Sequence, residues 1–173
     1  PMNIMLKKIT HAERLNSIAG ITFISYFNIT DLKNIYKITV DTGKLNDENV
    51  NIFTLTYKNP SAAERTYVNK WMLWTDTKRD LVKKIWIEKV VKSQVDNQVK
   101  EEPVITEAEY KYDKFGRNYL PVEVNQPNEN QTTLIKYIAQ NGRFLVSSMD
   151  FREKGETKSS MTFVYKQYEN SFM

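Results

Sequence analysis

The chain has 173 residues, 40% of them hydrophobic and 12% aromatic, which is the composition of one globular domain and not of a disordered chain. Its 25 basic residues against 21 acidic ones leave +4, too small an excess to mark a nucleic-acid binder by itself. The absence of cysteine excludes disulfides, thiol nucleophiles, iron–sulfur ligation and cysteine zinc sites together. No run approaches the ~18 apolar residues of a membrane span, and no signal peptide is visible. The opening Pro1-Met2 reads as a cloning scar. The expectation is therefore a single soluble domain over 1–173, with room for an upstream membrane anchor that has been removed.

Taken in chain order, residues 9–29 place Ala12, Leu15, Ile18, Ala19, Phe23, Tyr26 and Phe27 at three- and four-residue steps, which predicts a helix with one apolar face in preference to a competing strand at 21–27. Ile35–Asp41 reads as a short strand ending at a turn over Asp41-Thr42-Gly43. Residues 50–57 fit either a strand or a helix face. Pro60 and the capping-box spacing from Ser61 to Glu64 predict a helix over 60–74. Thr77 and Asp80 open a second, over 77–90, carrying Leu81, Val82, Ile85 and Trp86.

From residue 103 the period changes to two: Thr106, Ala108, Tyr110 and Tyr112 alternate with Glu107, Glu109, Lys111 and Asp113, as in an antiparallel sheet with one wet face. Lys114–Arg117 supplies a turn into a strand over 119–125, and the polar stretch 125–132 reads as a loop. Segments 134–139 and 144–151 flank Asn141-Gly142, a strong hairpin signal, although the same pair can cap a helix over 131–140. A last strand covers 160–168. The predicted class is α+β: N-terminal helices packed on a curved antiparallel sheet.

Candidate chemistry is sparse. The single histidine, His11, has no partner arranged beside it. Glu107 and Glu109 share a strand face, but Lys111 and Asp113 share it too, so a charged stripe accounts for them better than a catalytic pair. The five glycines are too scattered for a P-loop, a dinucleotide fingerprint or a nucleophile elbow. These absences predict a protein with no enzymatic activity, no cofactor and no metal.

Trp71, Trp74 and Trp86 are the only tryptophans and fall inside the predicted helix pair, with Trp71 and Trp74 on one helical face as core or as interface anchors. Around them Lys78, Arg79, Lys83 and Lys84 begin the densest basic run. Asp76, Asp80 and Glu88 interrupt it as on a solvated helix face, so a polar interface rim fits better than a grip on nucleic acid.

Several segments, read in order, resemble the inner-membrane assembly-factor (VirB-type) family of type IV secretion and conjugation machines. They are Ile38–Gly43, then Tyr67, Thr75-Asp76-Thr77 and Leu81–Trp86, then Asn141–Val146 running to Met149-Asp150-Phe151. The resemblance implies a nuclear-transport-factor-2-like (NTF2-like) fold and a membrane-tethered scaffold whose domain lies outside the cell membrane; without it, a cytoplasmic protein is expected. It also implies a homodimer or weaker self-association and docking of other channel subunits. The tail, parsed with a helix over 131–140, resembles instead the ferredoxin-like alignment proteins of type IV pili. A third reading is a small-ligand pocket or enzyme using Tyr110, Tyr112, Tyr119 and Tyr165 as inward donors.

Overall fold

Among the described residues, each strand before the last is hydrogen-bonded to the strand that follows it in the chain. The computed structural model describes residues 33–60, 67–95 and 98–165. These form one antiparallel sheet of nine strands in the order β1 to β9. The strands are β1 (Tyr36–Leu45), β2 (Glu48–Tyr57), β3 (Tyr67–Asp76), β4 (Val82–Val95), β5 (Gln98–Phe115), β6 (Asn118–Gln126), β7 (Gln131–Gln140), β8 (Arg143–Glu153) and β9 (Glu156–Thr162). The only helical pieces among the described residues are short ones, such as the turn at 33–35 and the single 3-10 turn Pro127–Glu129 between β6 and β7.

The turns explain the order. Asn46-Asp47, Asn141-Gly142 and Lys154-Gly155 each place two consecutive residues at positive φ, between 49° and 85°. That is the left-handed two-residue turn whose twist matches the strands it joins. Gly116 opens the β5–β6 turn at φ 61°, a conformation glycine adopts at no steric cost. The hairpin predicted at Asn141-Gly142 is therefore present, as is the turn at Lys114–Arg117.

The α+β expectation, with its NTF2-like arrangement, is corrected: strand makes up 79% of the described residues. Residues 67–74 of the first expected helix lie in β3, and the second, over 77–90, is replaced by a turn and β4. The helix expected over 9–29 lies outside the described residues. Segment 50–57 is strand, and the loop expected over 125–132 shrinks to the 3-10 turn. Residues 131–140 are strand β7, which removes the helix that the pilus parsing needs. The last strand, β9, starts at Glu156 and ends at Thr162, earlier than expected.

The turn expected at Asp41-Thr42-Gly43 is corrected too, because those residues continue β1. Gly43 has a packing reason instead. A Cβ there would stand 2.8 Å from Ile52 Cδ1, so the Ile52 side chain runs across the space that glycine leaves.

Register decides which face is core. Phe53, Leu73, Ile85 and Ala108 form one cross-strand row, and Leu55, Trp71 and Ile87 form the next. Tyr110, Val124 and Thr133 carry the same side onward, followed by Ile135 opposite Met149. All of these are buried, Trp71 to 2% exposure. Burial of each large side chain contributes roughly 1.5–3 kcal/mol.

A bulge explains the helical appearance of β4. Trp74 pairs with Lys84 and Thr75 with Val82, so Lys83 is an extra residue. It brings Val82 and Ile85, three positions apart, into one core. A three-residue apolar step is the signature of a helix, and the bulge reproduces it in a strand.

Two predictions follow from this core. Replacing Trp71 with Ala removes a fully buried ring and should lower unfolding free energy by about 3–5 kcal/mol in urea titration. Trp74→Ala, on the opposite face, should cost less than about 2 kcal/mol. Equal losses at the two positions would overturn the face assignment.

The second concerns alkali. Burial raises the Tyr36 pKa to about 12, with the neighbouring Tyr57 adding to the shift, and burial raises Tyr137 to about 12. Burial pushes Tyr110 and Tyr112 up as well. A group whose pKa is higher folded than unfolded gives its full stabilisation below the unfolded value, and loses it as pH climbs through the folded one. Stability should hold below pH 10, the ordinary tyrosine value, and fall toward pH 12. Phenolate absorbance and loss of sheet ellipticity should rise together. Titration of these tyrosines near pH 10 with the sheet intact would contradict their burial.

Candidate functional site

The face opposite the core carries a pattern of its own. Ile52, Trp74, Lys84, Glu109 and Asn125 stand side by side across β2 to β6. The next row is Thr54, Met72, Trp86 and Glu107, and the one after it Thr56, Lys70, Glu88 and Ile105. Ile52, Met72, Trp74 and Trp86 are half-buried, whereas Ile105 is 46% exposed. Apolar side chains on this face thus alternate with charges along and across the strands.

Lys84 is its centre. Its Nζ donates hydrogen bonds to Glu107 and, at 3.1 Å, to Glu109, and it sits 5.7 Å from the centroid of the Trp74 ring. Burial alone would lower the Lys84 pKa; the hydrogen bonds and charges of the two glutamates outweigh that, and the net shift is upward. Lys70 Nζ lies 5.9 Å from the Trp86 ring centroid, and Asn69 donates to Glu88 on the same two strands. The lysine ammonium groups therefore lie within cation–π reach of the indole rings.

A second cluster lies at one end of the sheet, where the chain turns from β3 to β4. The Asp76 carboxylate accepts hydrogen bonds from the backbone N–H groups of Lys78, at 3.0 Å, and Arg79. The Asp76 N–H donates to Leu81 O at 2.9 Å. A short carboxylate that closes a turn in this way is acting for the backbone. The Arg79 guanidinium lies 4.6 Å from the Tyr119 ring centroid, and Lys83 pairs with Glu48 at 2.9 Å. A cleft of about 240 Å³ runs between Glu48, Asp76, Lys78, Arg79 and Lys83. A neighbouring one of about 320 Å³ lies between the β1–β2 turn and the Glu109, Lys111 and Glu123 side of the sheet.

The seven residues singled out from sequence thus separate into three groups. Trp71 belongs to the core. Trp74, Trp86 and Lys84 meet on the second face. Lys78, Arg79 and Lys83 belong to the turn and its cleft. The shared helical face expected for Trp71 and Trp74 is corrected, because an offset of three in a strand points side chains to opposite sides. The basic residues are no helix rim either, since the strand and its bulge separate Lys78 and Arg79 from Lys84. Ile52, Lys70 and Met72 were missed, and Glu88 was read as part of a solvated helix face. Counting by two from Trp74 would have found Met72 and Lys70.

His11 lies outside the described residues. Among the described residues no group of three His, Cys, Asp or Glu side chains is placed to hold a metal ion. The Tyr112 hydroxyl donates to Val82 O at 2.7 Å and that of Tyr165 to Val146 O at 2.7 Å, so these groups serve the backbone. Comparison with protein-family models, curated proteins and solved structures finds no match.

Lys84 holds two carboxylates that would otherwise repel each other, which makes it the test of the cluster. Lys84→Met should cost about 1–3 kcal/mol in denaturant titration, because it leaves both glutamates partly buried without a cation. Adding Glu107→Gln and Glu109→Gln should restore most of that. A single variant as stable as the parent would show that the cluster holds nothing in place.

Proposed function

We propose that this protein is a non-enzymatic assembly module that self-associates and docks other protein subunits on its sheet. The observation that carries the reading is the second face, where Trp74, Trp86, Met72 and Ile52 lie half-buried among Lys70, Lys84, Glu88 and Glu107. Tryptophan anchors within a polar surround are the chemistry of protein recognition. Fixed Lys–Glu pairs beside them set orientation and select partners by charge. The sequence resemblance, whose NTF2-like fold this nine-stranded sheet replaces, suggests as partners the subunits of a type IV secretion channel, with the domain outside the cell membrane on a tether. Among the described residues no helix is long and apolar enough to cross a membrane.

The assignment of tyrosine hydroxyls argues for docking over a ligand pocket. Tyr112 and Tyr165, two of the groups a pocket would use, donate to main-chain carbonyls.

Sedimentation velocity from micromolar to submillimolar protein tests the proposal. Reversible self-association is the expected result, and a strict monomer across that range would count against it. A thermal-shift screen with small metabolites supplies the opposing test. A compound that raises the melting temperature in a saturable way would favour the pocket reading instead.

A further inference from the structure

β1 stands at one end of the sheet order, and among the described residues nothing pairs with its outer side. The phase of its hydrogen bonding is settled at both ends. Lys58 N–H donates to Ile35 O at 3.0 Å, and the two-residue turn at Asn46-Asp47 follows Leu45, which faces Glu48. Bonded positions alternate with unbonded ones along an antiparallel strand. The odd-numbered residues of β1 therefore bond to β2, and the N–H and C=O groups of Tyr36, Ile38, Val40, Thr42 and Lys44 point outward.

The side chains carry a matching pattern. Ile38 and Val40 face the core side, opposite Leu55 and Phe53, yet Val40 is 56% exposed at the open edge. Lys37, Thr39 and Asp41 face the other side and are exposed. Long edges with free main-chain groups are templates for pairing.

We infer that β1 pairs antiparallel with β1 of a second copy of this chain, about a two-fold axis through Thr39. This register is the one that satisfies backbone and side chains together. The outward-pointing residues bond to one another, Ile38 with Val40 and Tyr36 with Thr42, giving about eight main-chain hydrogen bonds. Each Val40 is then covered by Ile38 of the other copy, extending the apolar side of one sheet into the next. On the opposite side, Lys37 of each copy faces Asp41 of the other, so two cross-strand ion pairs form. Moving the axis to Val40 or to Ile38 keeps the backbone bonds but loses both ion pairs. Shifts that pair odd with even positions lose the backbone bonds.

The interface is a single strand pair, below the ~1,200 Å² of a standard stable contact, so the dimer is reversible. It gives the self-association proposed above a location, and it rests on that reading.

Four single-residue changes test it, all at exposed positions. Thr39→Cys introduces one thiol into a chain with no cysteine. On the axis, in a non-hydrogen-bonded pair, the two Cα atoms would lie ~4.5 Å apart, within disulfide range. The variant should cross-link to a covalent dimer under mild oxidation. Thr42→Cys should not, since its two copies would lie about 20 Å apart.

Lys37→Asp alone and Asp41→Lys alone each turn two attractions into two repulsions and should weaken the dimer about tenfold or more. An equimolar mixture of these two variants restores opposite charges at both pairs. It should form a heterodimer of near-parental affinity.

Cross-linking at Thr39 together with rescue in the mixture establishes the register. A dimer that survives both charge reversals and does not cross-link at Thr39 overturns the β1 pairing while leaving self-association standing. A parent chain that stays monomeric to submillimolar concentration overturns both.

Discussion

The architecture depends on connections too short to leave the sheet edge. β1 and β2 are joined by two residues, as are β5 and β6, β7 and β8, and β8 and β9. A two-residue loop can only return the chain antiparallel beside the strand it has just left. The left-handed backbone at Asn46-Asp47, Asn141-Gly142 and Lys154-Gly155 makes that return compatible with strand twist. With those returns set, strands in chain order are the simplest arrangement, and the sheet contains no crossover.

A sheet built in this way has two faces whose contents are fixed by register. One carries Phe53, Leu55, Trp71, Leu73, Ile85 and Ala108 into the core. The other carries Trp74, Trp86 and Met72 alongside Lys84 and its two glutamates. The division is not a uniform alternation, because bulges at β3–β4, β5–β6, β7–β8 and β8–β9 each shift the phase. At Lys83 the shift keeps Val82 in the core and leaves Lys84 on the outer face. The bulge thereby positions the cation around which the outer cluster forms.

The strands from β5 onward, and the start of β1, were more legible in the sequence than β3 and β4, for reasons visible in particular residues. Thr106, Ala108, Tyr110 and Tyr112 alternate cleanly with charged residues, so β5 could be read by period, and the Asn141-Gly142 turn by its chemistry. Over β3 and β4 both signals misled. Trp71 and Trp74 are three apart, as are Val82 and Ile85, and Ser61 and Glu64 have capping-box spacing. Yet the first pair straddles the sheet and the second is joined by a bulge. Tertiary pairing outweighed local pattern there, as it commonly does for β-branched and aromatic runs. The outer cluster suffered from the same error: Trp74 and Lys84 are direct cross-strand partners, a relation that a helical reading cannot contain. Composition is nearly silent on it as well, since lysines, glutamates and two tryptophans also describe an ordinary helix surface.

Strand number sets a final constraint. In a sheet of nine strands with every neighbour antiparallel, β1 and β9 run in the same direction. Joining these two edges within one molecule would require a parallel pair in an otherwise antiparallel sheet. Joining β1 to β1 across a two-fold axis requires nothing new, because the axis itself reverses direction. The two edges also differ in what they offer. β9 has seven residues, all exposed, whereas β1 has ten and sets Ile38 and Val40 beside the core, with Lys37 and Asp41 on the reverse side. An edge with apolar residues on one side and opposite charges two positions either side of Thr39 is complementary to itself. That self-complementarity links the meander topology to assembly: the same next-neighbour order that leaves the outer side of β1 without a partner among the described residues also leaves it matched to its own copy.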